Sequence, residues 1–449
     1  MALLVSGDLT DAKEEGGVGS GQLREEWETY REILRESNIA NRTVYLDIRG
    51  NHDTFDVPDY RERENLFKSH SKMGPTQSSS YLTTIKSRSG KQLSIVAMDA
   101  SLNPGPKKVY NFLGHLTDRH LSQLADLKAE AELSEHQLYF GHFPISCIVP
   151  STEAKGIVSG GLAYLSGHLH TLGGLAPKLY TIHRSGTPEL ELGDWKENRM
   201  WRLLAVDNGL LSFTDQRHEE GWPVVLVTNP KSASLVAPAV ESVDKILASN
   251  IIRVLVFSFT QVTVVKLSID SGEWTEMSED KEQAGIYTAP WEPQDYAGAA
   301  HTLKVVVSMV DDFGEFSSKE VSHKFVVDVD SLENPEYSLY ARCHHNTNLT
   351  ITILTNRVRL ILMADVSTFL QCSWILAALL CLLPPVMARF LLEIIPMRIG
   401  RMKMIMLIMM MDATAASNVD RLAPEKLADV LGRDVVLRLR LFTRFYHST

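Results

Sequence analysis

Thr43-Val44-Tyr45-Leu46-Asp47-Ile48-Arg49-Gly50-Asn51-His52-Asp53 is an apolar-rich run that stops on a polar cluster opened by glycine. Its β-branched and aromatic residues predict a strand, and Gly-Asn-His-Asp predicts a tight loop at the strand's carboxyl end. Three other stretches repeat the arrangement. Residues 2–6 read as a strand running into Gly7-Asp8, Gln137–Phe140 leads into Gly141-His142, and Leu162–Leu165 leads into Gly167-His168-Leu169-His170. Ligand sites in α/β sheets gather where strands end, so these four loops are the candidate site.

Between the loops the pattern alternates. Leu23, Trp27, Tyr30 and Leu34 recur at helical spacing in a charged stretch, and Thr117 or Asp118 can cap a helix reaching about Leu133. Gln92–Met98 reads as a further strand, with shorter ones near Tyr180–His183 and Glu189–Leu192. Arg202–Val206 and Leu210–Phe213 flank Asp207-Asn208-Gly209, a hairpin turn sequence. Strands and helices in alternation predict a layered α/β domain over residues 1–218. From Trp222 the period becomes two. Val265, Leu267 and Ile269, then Leu303, Val305, Val307 and Met309, alternate with polar residues, and His323–Val329 closes the series. This predicts an immunoglobulin-like β-sandwich over 222–330.

At 449 residues the chain has room for two or three domains, and its 44% hydrophobic and 22% charged content is that of a globular protein. The net charge of −10 is uneven: residues 1–388 hold 35 Lys/Arg against 49 Asp/Glu, and residues 389–449 hold 10 against 6. An acidic body lacks the basic footprint that nucleic acid requires. Residues 331–365 read as a mixed linker. Val366–Ala388 is 23 residues without a charge, long enough to span a bilayer, with a buried core segment as the alternative. A basic tail follows over 389–449, which suits a single-pass membrane protein. Cys147, Cys343, Cys372 and Cys381 show no CxxC spacing, hence no disulfide framework and no structural zinc site. The first residues show no basic leader or cleavage site and read as a strand already in progress.

Two divalent cations about 3.5–4 Å apart can neutralise both oxygens of an in-line displacement at phosphorus and hold a hydroxide between them. Such a pair needs a bridging carboxylate, several imidazoles and an uncharged oxygen. Asp8 fits the bridge, and Asn51 supplies an amide oxygen. His142 and His168 supply imidazoles to the same metal as Asn51, while His170, two residues on in an extended turn, reaches the other metal. His52 is placed to protonate the leaving group or steady the transition-state oxyanion, with Asp53 orienting it. His115, His120 and His183 have no partner pattern and read as structural.

The ordered series Gly-Asp, Gly-Asn-His-Asp, Gly-His, Gly-His-X-His resembles the calcineurin-like metallophosphoesterase superfamily. Asn103-Pro104-Gly105-Pro106, Leu172-Gly173-Gly174, Leu192-Gly193-Asp194-Trp195 and Trp222-Pro223-Val224-Val225 are similar to the transmembrane protein 62 family and its plant relatives. The resemblance covers about residues 3–330. It implies a four-layer α/β/β/α phosphoesterase domain, a β-sandwich and a membrane-embedded carboxyl region. It further implies two divalent metal ions (Mn, Fe or Zn) and a phosphoester substrate of unknown identity. The family's opening Asp-X-His belongs upstream of Gly7-Asp8, and six residues leave no room for it. One metal then keeps Asp8, Asn51, His142 and His168, and the other only Asp8 and His170. The chain accordingly reads as N-terminally truncated, with its second metal site incomplete. Two functions stay open: a membrane-anchored metal-dependent phosphoesterase, impaired in this form, and a catalytically incomplete phosphoesterase-fold scaffold at a membrane.

Overall fold

A computed structural model describes residues 1–14, 19–77, 79–108, 110–172 and 178–328. The expected linker, the 366–388 span and the basic tail lie outside the described residues. Among the described residues no helix is long and apolar enough to cross a membrane.

The first strand, β1 (Ala2–Val5), pairs in parallel with β2 (Val44–Asp47). Between them runs α1 (Arg24–Ser37), an amphipathic helix that ends on Asn38 in the left-handed region. Of the stripe expected to be core, Trp27 is fully buried, against Phe67 and Tyr30. The Tyr30 hydroxyl donates to Asp47 at 2.9 Å, which fixes the helix over β2. Single turns α2 (Ile39–Arg42) and α3 (Phe67–His70) follow.

The larger sheet contains β3 (Tyr81–Lys86), β4 (Gln92–Met98), β6 (His136–Gly141), β8 (Tyr164–Ser166), β9 (Tyr180–Ile182) and β10 (Pro188–Glu191). Its order is β3-β4-β6-β8-β10-β9, parallel from β4 to β10 and antiparallel at both edges. Strands β4 and β6 carry apolar runs at their carboxyl halves, as strands covered on both faces do, whereas β10 buries Glu189 and Glu191. Short β5 (Gly114–His115) and β7 (Ile148–Val149) pair beside it. Two helices accompany this sheet: α4 (Asp118–Ala131), closed at its start by a Thr117–His120 capping box, and α5 (Ser151–Val158). The hairpin of β11 (Met200–Asp207) and β12 (Leu210–Arg217) turns on Asn208 and Gly209, both at positive φ. Leu46 and Ile48 at the end of β2, Ile95, Leu138, Phe140 and Leu190 of the large sheet, and Leu211 and Phe213 of β12 share one core.

The second half is two four-stranded sheets. One orders β13 (Val224–Asn229), β14 (Ile251–Phe257), β18 (Ile286–Pro290) and β17 (Ser278–Glu279). The other orders β16 (Thr275–Glu276), β15 (Gln261–Ile269), β19 (His301–Val310) and β20 (Phe316–Phe325). Strand β19 alternates buried and half-buried residues along its whole length, as one wall of a sandwich must. The one-turn helix α6 (Asp244–Leu247) adds Ile246 to this core, and Leu210 of β12 joins it too. No helix was expected in this region, and α6 is the short exception.

Candidate metal centre

The site lies where β1, β2, β6 and β8 end. After β1 the backbone turns through Gly7 (φ 90°) and Asp8 (φ 52°), and after β2 it passes Gly50. These loops touch. A Cβ on Gly7 would sit 2.6 Å from the Gly50 nitrogen, and one on Gly50 would sit 2.1 Å from Asp8 Oδ1. Only glycine at both positions allows the approach.

Beneath that contact lies Asp53, wholly buried. Its carboxylate accepts from the backbone N–H groups of Leu9 (3.1 Å), Thr10 (3.2 Å) and Gly50 (2.8 Å), and from the Thr10 hydroxyl (3.2 Å). Burial first and the Asp8 charge second push its pKa up to about 7, against the pull of the three N–H groups. Asp53 was expected to orient His52, and the structure corrects this. His52 Nδ1 meets the Asp11 carbonyl at 2.6 Å, and the ring lies on Phe55. Asp53 faces away from it and joins the β1 and β2 loops instead.

Four donor atoms converge above this base. His142 Nδ1 donates to the Ser6 carbonyl at 2.8 Å, leaving Nε2 with its lone pair. That Nε2 lies 3.0 Å from Asn51 Oδ1, 3.1 Å from His168 Nδ1 and 3.4 Å from Asp8 Oδ1. His168 Nδ1 is 3.1 Å from Asn51 Oδ1. Phe112 and Phe143 wall the His168 ring, with centroids at 4.7 and 4.9 Å. Asn111, which sequence reasoning missed, donates from Nδ2 to the Asn51 carbonyl and to Thr54 Oγ1, both at 3.1 Å.

Burial lowers both histidines toward the neutral form, although Asp8 pulls the other way. His168 falls to about 3, with His142 as the second cause. Burial alone would raise Asp8, but His142, His52 and His168 outweigh it and hold the carboxyl below its usual value. The result is an anionic carboxylate and two neutral imidazoles, the protonation state in which these groups bind metal.

The donor set fits a divalent cation. Three of the facing atoms, Asp8 Oδ1, Asn51 Oδ1 and His142 Nε2, carry lone pairs and no hydrogen, so they cannot bond to one another, although Asp8 Oδ1 accepts the His52 backbone N–H at 3.1 Å. The outer nitrogen of the fourth residue, His168 Nε2, is buried with no hydrogen-bond partner, though the Phe112 carbonyl acts on the ring. Ligands about 2.0–2.2 Å from one ion lie about 3.0–3.4 Å from each other, which is the spacing observed here. Among the described residues no group of three or more His, Cys, Asp or Glu side chains is arranged to hold a metal ion by itself. The set described here depends on the Asn51 amide for its fourth atom and is closed up on its own centre.

His170 stands apart. His168 and His170 have φ of 81° and 55°, so Gly167–His170 is a tight turn, not the extended one expected. His170 is 42% exposed, and its Nδ1 lies 3.5 Å from Asp194 Oδ2. Asp194 also accepts from the Asn198 backbone at 3.3 Å. Nearby, the Asp11 carboxylate meets Lys13 Nζ at 2.9 Å and Lys196 Nζ at 2.8 Å. Burial would raise it, but the two lysines prevail and hold it at about 2. Asp194 had a sequence signal in Leu192-Gly193-Asp194-Trp195, whereas Asp11 and Lys196 had none. His120 serves the α4 cap, His183 Nε2 lies 2.8 Å from Glu189 Oε2, and His115 is exposed, so none of the three reaches the centre.

Residues 219–330 match the TMEM62 Ig-like domain family. Transmembrane protein 62 of Mus musculus is 38% identical over 329 residues, covering 72% of this chain and 50% of the relative. A protein of Arabidopsis thaliana named "Putative metallophosphoesterase" is 27% identical over 319 residues, covering 59% of this chain and 42% of the relative. The chain thus spans about half the length of the curated relatives it matches. The resemblance read from the four loops is borne out: the chain is a homologue of transmembrane protein 62 and, at lower identity, of a plant protein named for metallophosphoesterase activity.

Proposed function

We propose that the chain is a metal-dependent phosphoesterase held at a membrane. One observation carries the reading: His142 Nε2 lies 3.0–3.4 Å from Asn51 Oδ1, His168 Nδ1 and Asp8 Oδ1, and His168 Nδ1 lies 3.1 Å from Asn51 Oδ1. In this reading residues 1–218 are a four-layer α/β/β/α phosphoesterase domain and 222–330 an Ig-like domain. Residues 331–365 then lead to a membrane span at 366–388 and a basic tail.

Asp8, Asn51, His142 and His168 hold a divalent cation. Ser6 aims the His142 lone pair, and the Asp53 staple keeps the Asp8 and Asn51 loops in register. The bound cation supplies positive charge for phosphoryl oxygens and a lowered pKa for water. His52 holds a hydrogen on Nδ1 toward the Asp11 carbonyl, so Nε2, 3.7 Å from Asp8 Oδ2, accepts a proton in the neutral ring and would pass one to a departing oxygen only from the imidazolium form. Phe112 and Phe143 keep water from the back of the His168 ring.

The test uses the purified full chain, assayed for bound manganese or zinc and for turnover of bis-p-nitrophenyl phosphate. Asn51→Ala and His168→Ala lose metal and turnover together, and retention of activity in both would refute the assignment. A second reading, a phosphoesterase-fold scaffold without turnover, is supported by the diversion of His170 to Asp194. One cation per chain, no hydrolysis and a stable fold would select it.

A further inference from the structure

One end of the sandwich carries an unusual density of exposed aromatic rings. Phe313 is 92% exposed, Phe259 83% and Phe316 81%, with Trp222 and Phe257 partly exposed beside them. Their clustering follows from the strand register. Val224 pairs with Phe257, Gln261 with Val310, and Val310 with Phe316. The approach to β13, the β14–β15 turn and the β19–β20 turn therefore lie at the same end. Ring contacts continue the row: Trp222 is 4.5 Å from Phe259 and 5.9 Å from Trp201. The β19–β20 turn is built to hold its ring outward. Asp311 Oδ1 accepts from the Phe313 and Glu315 backbone N–H groups, each at 2.9 Å, and Gly314 supplies φ 82°.

Phenylalanine and tryptophan projecting singly from rigid turns are poor cover for a groove and well suited to the layer between headgroups and acyl chains. The charge around them narrows the lipid. Residues 258–260 and 311–316 contain Asp311, Asp312 and Glu315 and no Lys or Arg, so these two turns offer anionic headgroups no attraction. The same chain contains the 23-residue uncharged run at 366–388, and its murine relative is named a transmembrane protein. We propose that the Trp222, Phe257, Phe259, Phe313 and Phe316 end of the sandwich seats in the interfacial layer of a zwitterionic bilayer. The inference is independent of any phosphoesterase activity.

The test reconstitutes the full chain in phosphatidylcholine vesicles, with an environment-sensitive fluorescent amino acid replacing Phe313. A control carries it at Ser271, in the turn after β15 at the opposite end. Emission from position 313 should shift to the blue and be lost to nitroxides attached near the lipid headgroups, while position 271 stays unaffected. Phe259→Ser with Phe316→Ser should reverse the shift, and added phosphatidylserine or salt should change little. A water-exposed label at 313 overturns the proposal. So does a label shielded without nitroxide quenching, which would mean a protein partner, or quenching abolished by salt.

Discussion

At the strand ends of the α/β body, Asn51 Oδ1, His142 Nε2 and the half-buried Asp8 Oδ1 and His168 Nδ1 gather with too few hydrogens to satisfy them all. In the sandwich, buried charge is matched: Lys231 and Glu241, each 1% exposed, form an ion pair, and Glu241 also accepts the N–H groups of Leu211 (3.0 Å) and Ala237 (2.9 Å). Leu211 belongs to β12 of the body, so this pair also fastens the two halves together. The first arrangement costs stability unless a cation fills it, and the second stabilises without offering anything to a ligand. A functional site is thus recognisable by polar atoms that the fold buries and leaves unmatched.

The largest expected effect strikes the matched pair. Lys231→Met strands the Glu241 charge in a closed corner and should cost about 3–5 kcal/mol, read as a fall in the denaturant midpoint. Metal content measured in native buffer should not change. If the variant unfolds normally but loses metal, the two regions are not separable in the way described.

Asp53→Ala comes next and should move both readouts. It leaves the N–H groups of Leu9, Thr10 and Gly50 without their acceptor, at about 2–3 kcal/mol in total. It also frees the Gly7 and Gly50 loops that position Asp8 and Asn51, so metal affinity should fall in parallel. Calorimetry with and without manganese separates the two losses. Unchanged metal binding would mean that the staple does not support the centre.

How far the sequence revealed all this depended on the range of the interaction. Strands ending on Gly-Asp, Gly-Asn-His-Asp and Gly-His were legible because apolar runs and glycine act locally, and the β11–β12 hairpin was legible from Asp207-Asn208-Gly209. Strand β3 was not: Tyr81–Lys86 includes Thr83 and Thr84 at a sheet edge, where one side stays half exposed and the apolar pattern weakens. Helix α5 was hidden behind Pro150 in a short, weakly patterned stretch. At the centre, residue types were readable but directions were not. His168 meets His142 and Asn51 whereas His170, two positions on, meets Asp194, and Asp53 found its partners 43 and 44 positions away in sequence. Arg49 likewise looked like a flank of the motif, yet it is 2% exposed and bonded to Asp99.

His170→Ala sharpens the division within the centre. The His170–Asp194 contact is half exposed, so its loss should change stability by less than about 1 kcal/mol. Turnover should fall about tenfold or less, against about 100-fold or more for His168→Ala. Parallel kinetics of the two variants decide it. Equal losses would place His170 in the working site despite its outward turn.

The last comparison sets two neutral histidines side by side. His323 on β20 donates from Nε2 to the Pro230 carbonyl at 3.1 Å, and burial holds its pKa down to about 4. Unfolding returns it toward 6.5, so between those values the unfolded chain binds a proton that the folded chain refuses. Stability therefore rises with pH across that window and is lost on acidification from about 6.5 to 4. The ring is only partly buried, which limits the change to about 1–2 kcal/mol. Urea midpoints measured from pH 4 to 7 should slope upward, and His323→Gln should reduce the slope without abolishing it. His168 has the same sign, and its window from 6.5 down to about 3 contains that of His323, so it supplies the remainder. A slope undiminished in the His323 variant would trace the acid sensitivity to the body alone.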